Sequence, residues 1–142
     1  MEKPIISERE TVFQYNVKTI WNIVINNKNY KWRTGIEKID ILENDRIEYY
    51  DKNSKHYTKF TLKNKEEYKL YSFDMENKIF FGTWTGKFIE ININETKYVF
   101  IEKIFMKNRV KAFLAKYFWN IGKIQEKYFH DLRSNLAEST TG

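Results

Sequence analysis

The stretch from about Asn108 to about Leu136 constrains the fold of this chain more than any other. It holds no proline, and apolar residues recur at Val110, Leu114, Tyr117, Ile121, Ile124, Tyr128, Leu132 and Leu136. Those steps of three and four lie along one stripe of a helix. A stripe that long needs a broad surface to cover it. The roughly seventy residues before it alternate apolar and polar side chains at period two, which is the pattern of strands. The expected fold is α+β, a curved antiparallel sheet of about seven strands wrapped around one long C-terminal helix.

In chain order, Ser7 to Tyr15 reads as a first strand, with Thr11, Phe13 and Tyr15 alternating against Val12 and Gln14. Asn16 is a good helix cap, because its side-chain oxygen can accept a free backbone N–H of the next turn. Val17 to Asn26 then carries Ile20, Trp21, Val24 and Ile25, a short amphipathic helix stopped by Asn26 and Asn27. Tyr30 and Trp32 follow in a partly helical link, so one or two short helices separate the first two strands. Six strands come next: Ile36 to Leu42, Arg46 to Asp51, Tyr57 to Lys63, Glu67 to Met75, Ile79 to Ile93 and Lys97 to Met106. The breaks between them, including Asn64-Lys65, are short and turn-like, which implies antiparallel hairpins. Residues 1–137 form one domain in this reading, and residues 138–142 a loose tail.

The fifth of these six strands is unusually long, and its apolar residues change phase along it. Phe80, Gly82, Trp84, Gly86 and Phe88 share one face, whereas Ile89, Ile91 and Ile93 fall on the other. A bulge or sharp bend near Gly86 to Ile89 would reconcile the two halves. Two readings of this strand stand side by side. In one, Gly82 and Gly86 only permit curvature; in the other, they open space for Trp84 and Phe88 to line a cavity.

Composition excludes several classes of function. The 142 residues include no cysteine, so disulfides and thiolate metal sites are ruled out and a cytoplasmic protein is the simplest expectation. With only His56 and His130, an all-protein zinc site is not expected. No stretch has the roughly twenty apolar residues of a membrane span. The segment Gly82-Thr83-Trp84-Thr85-Gly86-Lys87-Phe88 is one residue too short for a P-loop and lacks the hydroxyl after the lysine. No other cofactor motif occurs, and none is expected to be needed. Aromatic residues make up 18% of the chain, enough both for a core and for an aromatic-lined cavity.

The order of elements, a strand, a short helix, a link with a tryptophan, a meander and a long closing helix, resembles the helix-grip fold of the START-like superfamily. That group includes Bet v 1-type, polyketide cyclase/dehydrase and lipid-transport-like proteins. The resemblance rests on Tyr15-Asn16-Val17-Lys18-Thr19-Ile20-Trp21 at the strand-to-helix entry, on Tyr30 and Trp32, on Gly82-Thr83-Trp84 in the sheet, and on Phe129 to Leu136 in the closing helix. It implies a hydrophobic cavity between sheet and helix that binds, and in some members carries or cyclises, a lipid, polyketide or similar molecule. By position, the lining implied here is Trp32, Phe60, Phe80, Trp84, Phe88, Phe100, Tyr117, Ile121, Gln125 and Tyr128. Each of these could equally belong to the core.

A cyclase-like enzyme would need an acid or base in that cavity. Arg33, His56, Glu102 and His130 are the candidates. Glu102 stands out because it shares a strand face with Tyr98, Phe100, Ile104 and Met106; on the cavity side its pKa would rise, and on the other side it would be solvated. His56 beside a turn and His130 beside Asp131 read as surface residues.

The charge pattern offers a further alternative. The formal net charge is +6, and from Lys103 to Gln125 there are six basic residues and no acidic one. Interleaved with Phe113, Phe118 and Trp119, the 107–123 segment suits an anionic membrane surface or a protein partner. Cations at the start of a helix oppose its dipole, so local stability does not account for them. Nucleic acid is a weaker reading, since Glu66 and Glu67 interrupt the run of Lys59, Lys63, Lys65 and Lys69 that is interspersed with tyrosines. Nothing in the sequence fixes the oligomeric state.

Overall fold

The computed structural model describes residues 4–107 and 121–141. Within them the chain runs β1 (Ile5–Phe13), α1 (Val17–Ile25), β2 (Lys38–Leu42), β3 (Asp45–Tyr49), β4 (Tyr57–Glu66), β5 (Leu70–Glu76), β6 (Phe80–Asn92), β7 (Glu95–Met106) and α2 (Ile121–Thr141). Short connections from β2 onward return each strand beside its predecessor. Because β1 adds to the far side of β7, the sheet is seven-stranded, antiparallel and ordered β1-β7-β6-β5-β4-β3-β2. The fold is α+β, a curved sheet with a long helix at its C-terminal end. The basic segment and Tyr117 fall almost entirely outside the described residues.

Helix α1 begins where its cap allows. Asn16 is extended, at φ −64° and ψ 143°, and its Oδ1 accepts from Lys18 N at 2.9 Å. Its Nδ2 donates to Ile93 O at 2.8 Å, so the cap also ties the helix to the β6–β7 turn. Val17, Ile20, Trp21 and Val24 then lie on one buried face. Trp21 meets Phe88 and Tyr71 edge-on at 5.1 and 5.9 Å, an arrangement favoured by the charge distribution of the rings. The link that follows contains turns rather than a second helix.

Helix α2 presents Ile121, Gln125, Tyr128, Phe129, Leu132 and Leu136 to the protein. Ile124, expected on the buried stripe, is 51% exposed. The helix is rotated so that Gln125 points inward, and a polar clasp explains why that is tolerated. Gln125 Nε2 donates to Ser7 O at 3.0 Å, and Ser7 Oγ donates to Gln125 Oε1 at 2.7 Å. Both ends of the buried amide are thus satisfied by β1, which removes the cost of burying it. Phe129 packs edge-on against Phe13 and Tyr98. The helix continues to Thr141, past the start of the loose tail suggested by the sequence; no glycine or proline interrupts it between Lys123 and Thr141.

Two local expectations for the sheet are corrected. The reversal between β4 and β5 is at Glu67–Lys69, not at Asn64-Lys65, and a register shift at Leu62/Asn64 absorbs the polar residues into β4. In β6, pairing with β7 is continuous from Phe80 to Glu90, so there is no bulge at Gly86 to Ile89; the irregularity lies at Glu90/Asn92. The strand also keeps its phase. Phe80, Trp84 and Phe88 face inward throughout, while Ile89 and Ile91 are simply exposed on the strand, at 47% and 50%, and Ile93, 70% exposed, lies in the turn that follows.

The β6 glycines make room for neighbours. A Cβ on Gly82 would fall 1.9 Å from the Lys103 carbonyl oxygen, and one on Gly86 would fall 2.8 Å from Tyr98 Oη. The Tyr98 ring lies over this gap and stacks on Phe88 with centroids 4.5 Å apart. Gly86→Ala is therefore expected to destabilise the fold by about 2 kcal/mol through overpacking, measured by chemical denaturation.

Candidate functional site

Between the sheet, the link after α1 and the start of α2 lies a cavity of about 310 Å³. The sheet contributes Phe60, Met75, Phe80, Trp84, Phe100 and Ile104, all buried and all on its inner face. The link contributes Trp32 and Arg33, and α2 contributes Ile121, Ile124, Lys127 and Tyr128. Exposed Gly35 faces exposed Ile124 and Lys127 across the lining, which marks the side where the cavity meets solvent.

Of the residues expected along this lining, Trp32, Phe60, Phe80, Trp84, Phe100, Ile121 and Tyr128 are there. Phe88 is not: it lies beyond the cavity, wedged between Trp21 and Tyr98. Gln125 is not either, because its amide is turned to Ser7 on β1. Tyr117 lies outside the described residues. Aromatic contacts fix the walls. Trp84 and Phe100 meet edge-on at 5.2 Å, Phe100 and Tyr128 at 5.2 Å, and Tyr128 and Trp32 at 5.5 Å.

The sequence reading missed the charged cluster in this apolar wall. In β3, Arg46 and Glu48 sit two residues apart and therefore share a face, and that face is the inner one. Both are buried, at 5% and 2% exposure. Glu48 Oε2 accepts from Arg46 Nε at 2.9 Å and from Arg33 Nη1 at 2.7 Å, while Oε1 accepts from Arg33 Nη2 at 3.4 Å. Burial would raise the Glu48 pKa, but the two guanidinium groups outweigh it and hold the carboxyl down at about 2. Burial likewise opposes the charge on Arg33, and Glu48 overrides it, leaving that group more firmly protonated than an ordinary arginine.

Arg46 also lies over the rings of Phe60 and Phe73, its Cζ 4.2 and 4.4 Å from their centroids. Its Nη1 is buried and has no hydrogen-bond partner among the described residues. The signal that could have located this pair is the alternation Arg46-Ile47-Glu48-Tyr49: two opposite charges on one face of a strand whose hairpin partner carries Phe60 on the same side.

Glu102 lies on the cavity side of β7, beside Trp84 on β6. Burial, reinforced by the nearby charge of Glu48 and only partly offset by Arg33, pushes its pKa up to about 8. Near neutral pH it is a carboxylic acid, able to donate a hydrogen bond or a proton. Asp131 fixes the link to α2 by accepting from Thr34 N and Thr34 Oγ1, both at 2.8 Å. His56 is exposed and paired with Asp51, far from this chemistry, and His130 is exposed on α2. No group of metal-ligating side chains occurs among the described residues. No described helix is long and apolar enough to cross a membrane.

No protein-family description matches the chain, and no curated protein matches its sequence. Solved structures do match its shape. A START superfamily protein from Mycobacterium smegmatis superposes with a TM-score of 0.77 at 12% identity, covering 94% of this chain and 97% of that one. An aromatase/cyclase from a Streptomyces species gives 0.73 at 8% identity, covering 93% of each chain. Norcoclaurine synthase from Thalictrum flavum gives 0.74 at 10% identity, covering 95% of this chain and 87% of that one. At such low identity it is the path of the backbone that is shared, and the chain has the START-like helix-grip fold.

Proposed function

We propose that the protein binds an amphipathic small molecule in the cavity between the sheet and α2. The observation that carries this reading is an aromatic cavity of about 310 Å³ with a small set of charged groups converging in its wall. Such a combination is typical of small-molecule sites, where apolar walls supply affinity and a few polar groups set orientation. The volume is near the lower end of the usual range of roughly 300–1,000 Å³, which suits a single chain or a few rings. Two of the similar structures support the same reading: one is an aromatase/cyclase, and norcoclaurine synthase was solved with dopamine and hydroxybenzaldehyde.

Native mass spectrometry of the purified protein, together with titration of the fluorescent apolar probe N-phenyl-1-naphthylamine, tests the reading. The expected result is saturable binding of one probe per chain, with displacement by any ligand that co-purifies. Purely non-saturable fluorescence with no bound small molecule would remove the proposal.

A cyclase-like acid–base role for Glu102 is the second reading, favoured by its place in the wall and its proton at neutral pH. Incubation with a linear aromatic polyketone is its test. Cyclisation that falls about 100-fold in Glu102→Gln would support it, in line with the usual contribution of a general acid. Equal turnover by both proteins would exclude it. A membrane or partner surface on the 107–123 segment remains a separate proposal. Lys107, its first residue, is already paired with Glu76 at 2.7 Å. Salt-sensitive co-sedimentation with anionic vesicles tests it.

A further inference from the structure

The charged cluster carries the functional reading one step further, to the chemistry of the ligand. Arg46 is more than nine-tenths buried; its Nε donates to Glu48 Oε2, while its Nη1 has no acceptor among the described residues. Glu48 does not serve Nη1: its oxygens accept from both Arg33 nitrogens and from Arg46 Nε, and Nη1 stays without a partner among the described residues. The rings of Phe60 and Phe73 offer the guanidinium charge a partner but provide no oxygen for its N–H groups. Buried donors are rarely left without an acceptor unless something else supplies one.

The balance of charge indicates what that acceptor is. Among the described residues the lining holds three cations, Arg33, Arg46 and, at the exposed mouth, Lys127. Against them stand the carboxylates of Glu48 and Asp131, the latter engaged by Thr34. Glu102, the remaining acidic residue of the lining, keeps its proton near neutral pH. Three positive groups against two negative ones leave, among the described residues, an excess of one positive charge, contributed by the exposed Lys127 at the mouth. A neutral acceptor would satisfy Nη1 and leave that excess; one negative charge satisfies both.

We propose that the ligand enters with a singly charged oxyanion head, a carboxylate in the simplest case, which accepts from Arg46 Nη1 while its apolar body lies against Trp84, Phe100 and Tyr128. This rests on the small-molecule reading above. Lys127 stands where the cavity meets solvent and would draw such an anion toward it.

Displacement of N-phenyl-1-naphthylamine by decanoate and by decanol, at pH 7 and fixed ionic strength, tests the proposal. The two competitors share an apolar chain and differ in the charge of the head. Decanoate is expected to displace the probe at a concentration at least tenfold lower than decanol. That preference should fall below threefold in Arg46→Met and persist in part in Arg46→Lys. The wild-type comparison needs no variant, so it decides the matter even if Arg46→Met fails to fold. Equal potency of the two competitors on the wild-type protein would overturn the inference while leaving the small-molecule reading intact, and so would a preference that survives Arg46→Met unchanged. Failure of the probe itself to bind would instead remove the reading on which the inference stands.

Discussion

Glu48→Ala is expected to cost about 4 kcal/mol of folding stability, because breaking a buried ion pair from one side leaves uncompensated charge in the interior. Here one carboxylate serves two guanidinium groups. Arg33 keeps 20% of its side chain exposed and can turn toward water, whereas Arg46, at 6%, cannot. The loss therefore falls mainly on Arg46. Adding Arg46→Met removes the stranded cation, so the double variant should be more stable than Glu48→Ala alone, with a coupling of at least about 1 kcal/mol. Urea denaturation of the two single variants, the double variant and the parent completes the cycle. Strict additivity would show that the cluster does not act as a unit.

Stability should fall as pH rises from about 5 to 8, and Glu102→Gln should abolish that fall. The Glu102 pKa in the folded protein is about 8, against an ordinary value of 4.5. Below the lower value both folded and unfolded chains hold the proton, and the favourable contribution is complete. Between the two values the unfolded chain releases its proton while the folded one retains it, so raising the pH favours unfolding. The full shift would correspond to roughly 5 kcal/mol at 1.36 kcal/mol per pKa unit, and screening by solvent entering the cavity reduces the expected change to about 3 kcal/mol. Glu48 has the opposite sign. Its pKa of about 2 lies below the ordinary 4.5, so its contribution is present above 4.5 and lost as pH falls from there toward 2. Glu48 does not titrate between pH 5 and 9, so the difference between wild-type and Glu102→Gln denaturation curves over that window reads Glu102. A flat wild-type profile would contradict the placement of Glu102.

The sheet and its closing helix were legible because alternation and three-four spacing follow directly from backbone geometry. Where the reading slipped, a local rule met a tertiary reason to break it. Asn64-Lys65 looks like a turn, yet the chain reverses at Glu67–Lys69 with Tyr68 at φ 64°, a conformation usually left to glycine or asparagine. The Tyr68 ring is held against Trp21 at 6.1 Å, and a contact between residues so distant in sequence leaves no local signature. Ile89, Ile91 and Ile93 suggested a switch of phase along the strand, but hydrophobicity alone does not say which side of a strand the core lies on. The cavity aromatics could be read from their shared strand faces. Arg46 and Glu48 are harder to read, because charged residues next to a turn are ordinarily solvated and their alternation puts them on one face without saying that it is the inner one, where Arg46 lies 5.9 Å from the Trp84 ring.

The pairing of the first strand with the last bears on how the molecule is made. Ile5 lies opposite Ile104, and Ser7 reaches across to Gln125, so β1 finds neither its sheet partner nor its clasp until nearly all of the chain is available. The hairpins from β2 to β7 pair neighbours in sequence and close short loops, whereas joining β1 to β7 closes the longest loop between paired strands in the sheet. During synthesis on the ribosome the first strand must wait, with Phe13, fully buried in the finished fold, still uncovered, while the meander assembles ahead of it. A chain interrupted before β7 would present an unpaired N-terminal strand, the kind of edge that recruits other chains into aggregates.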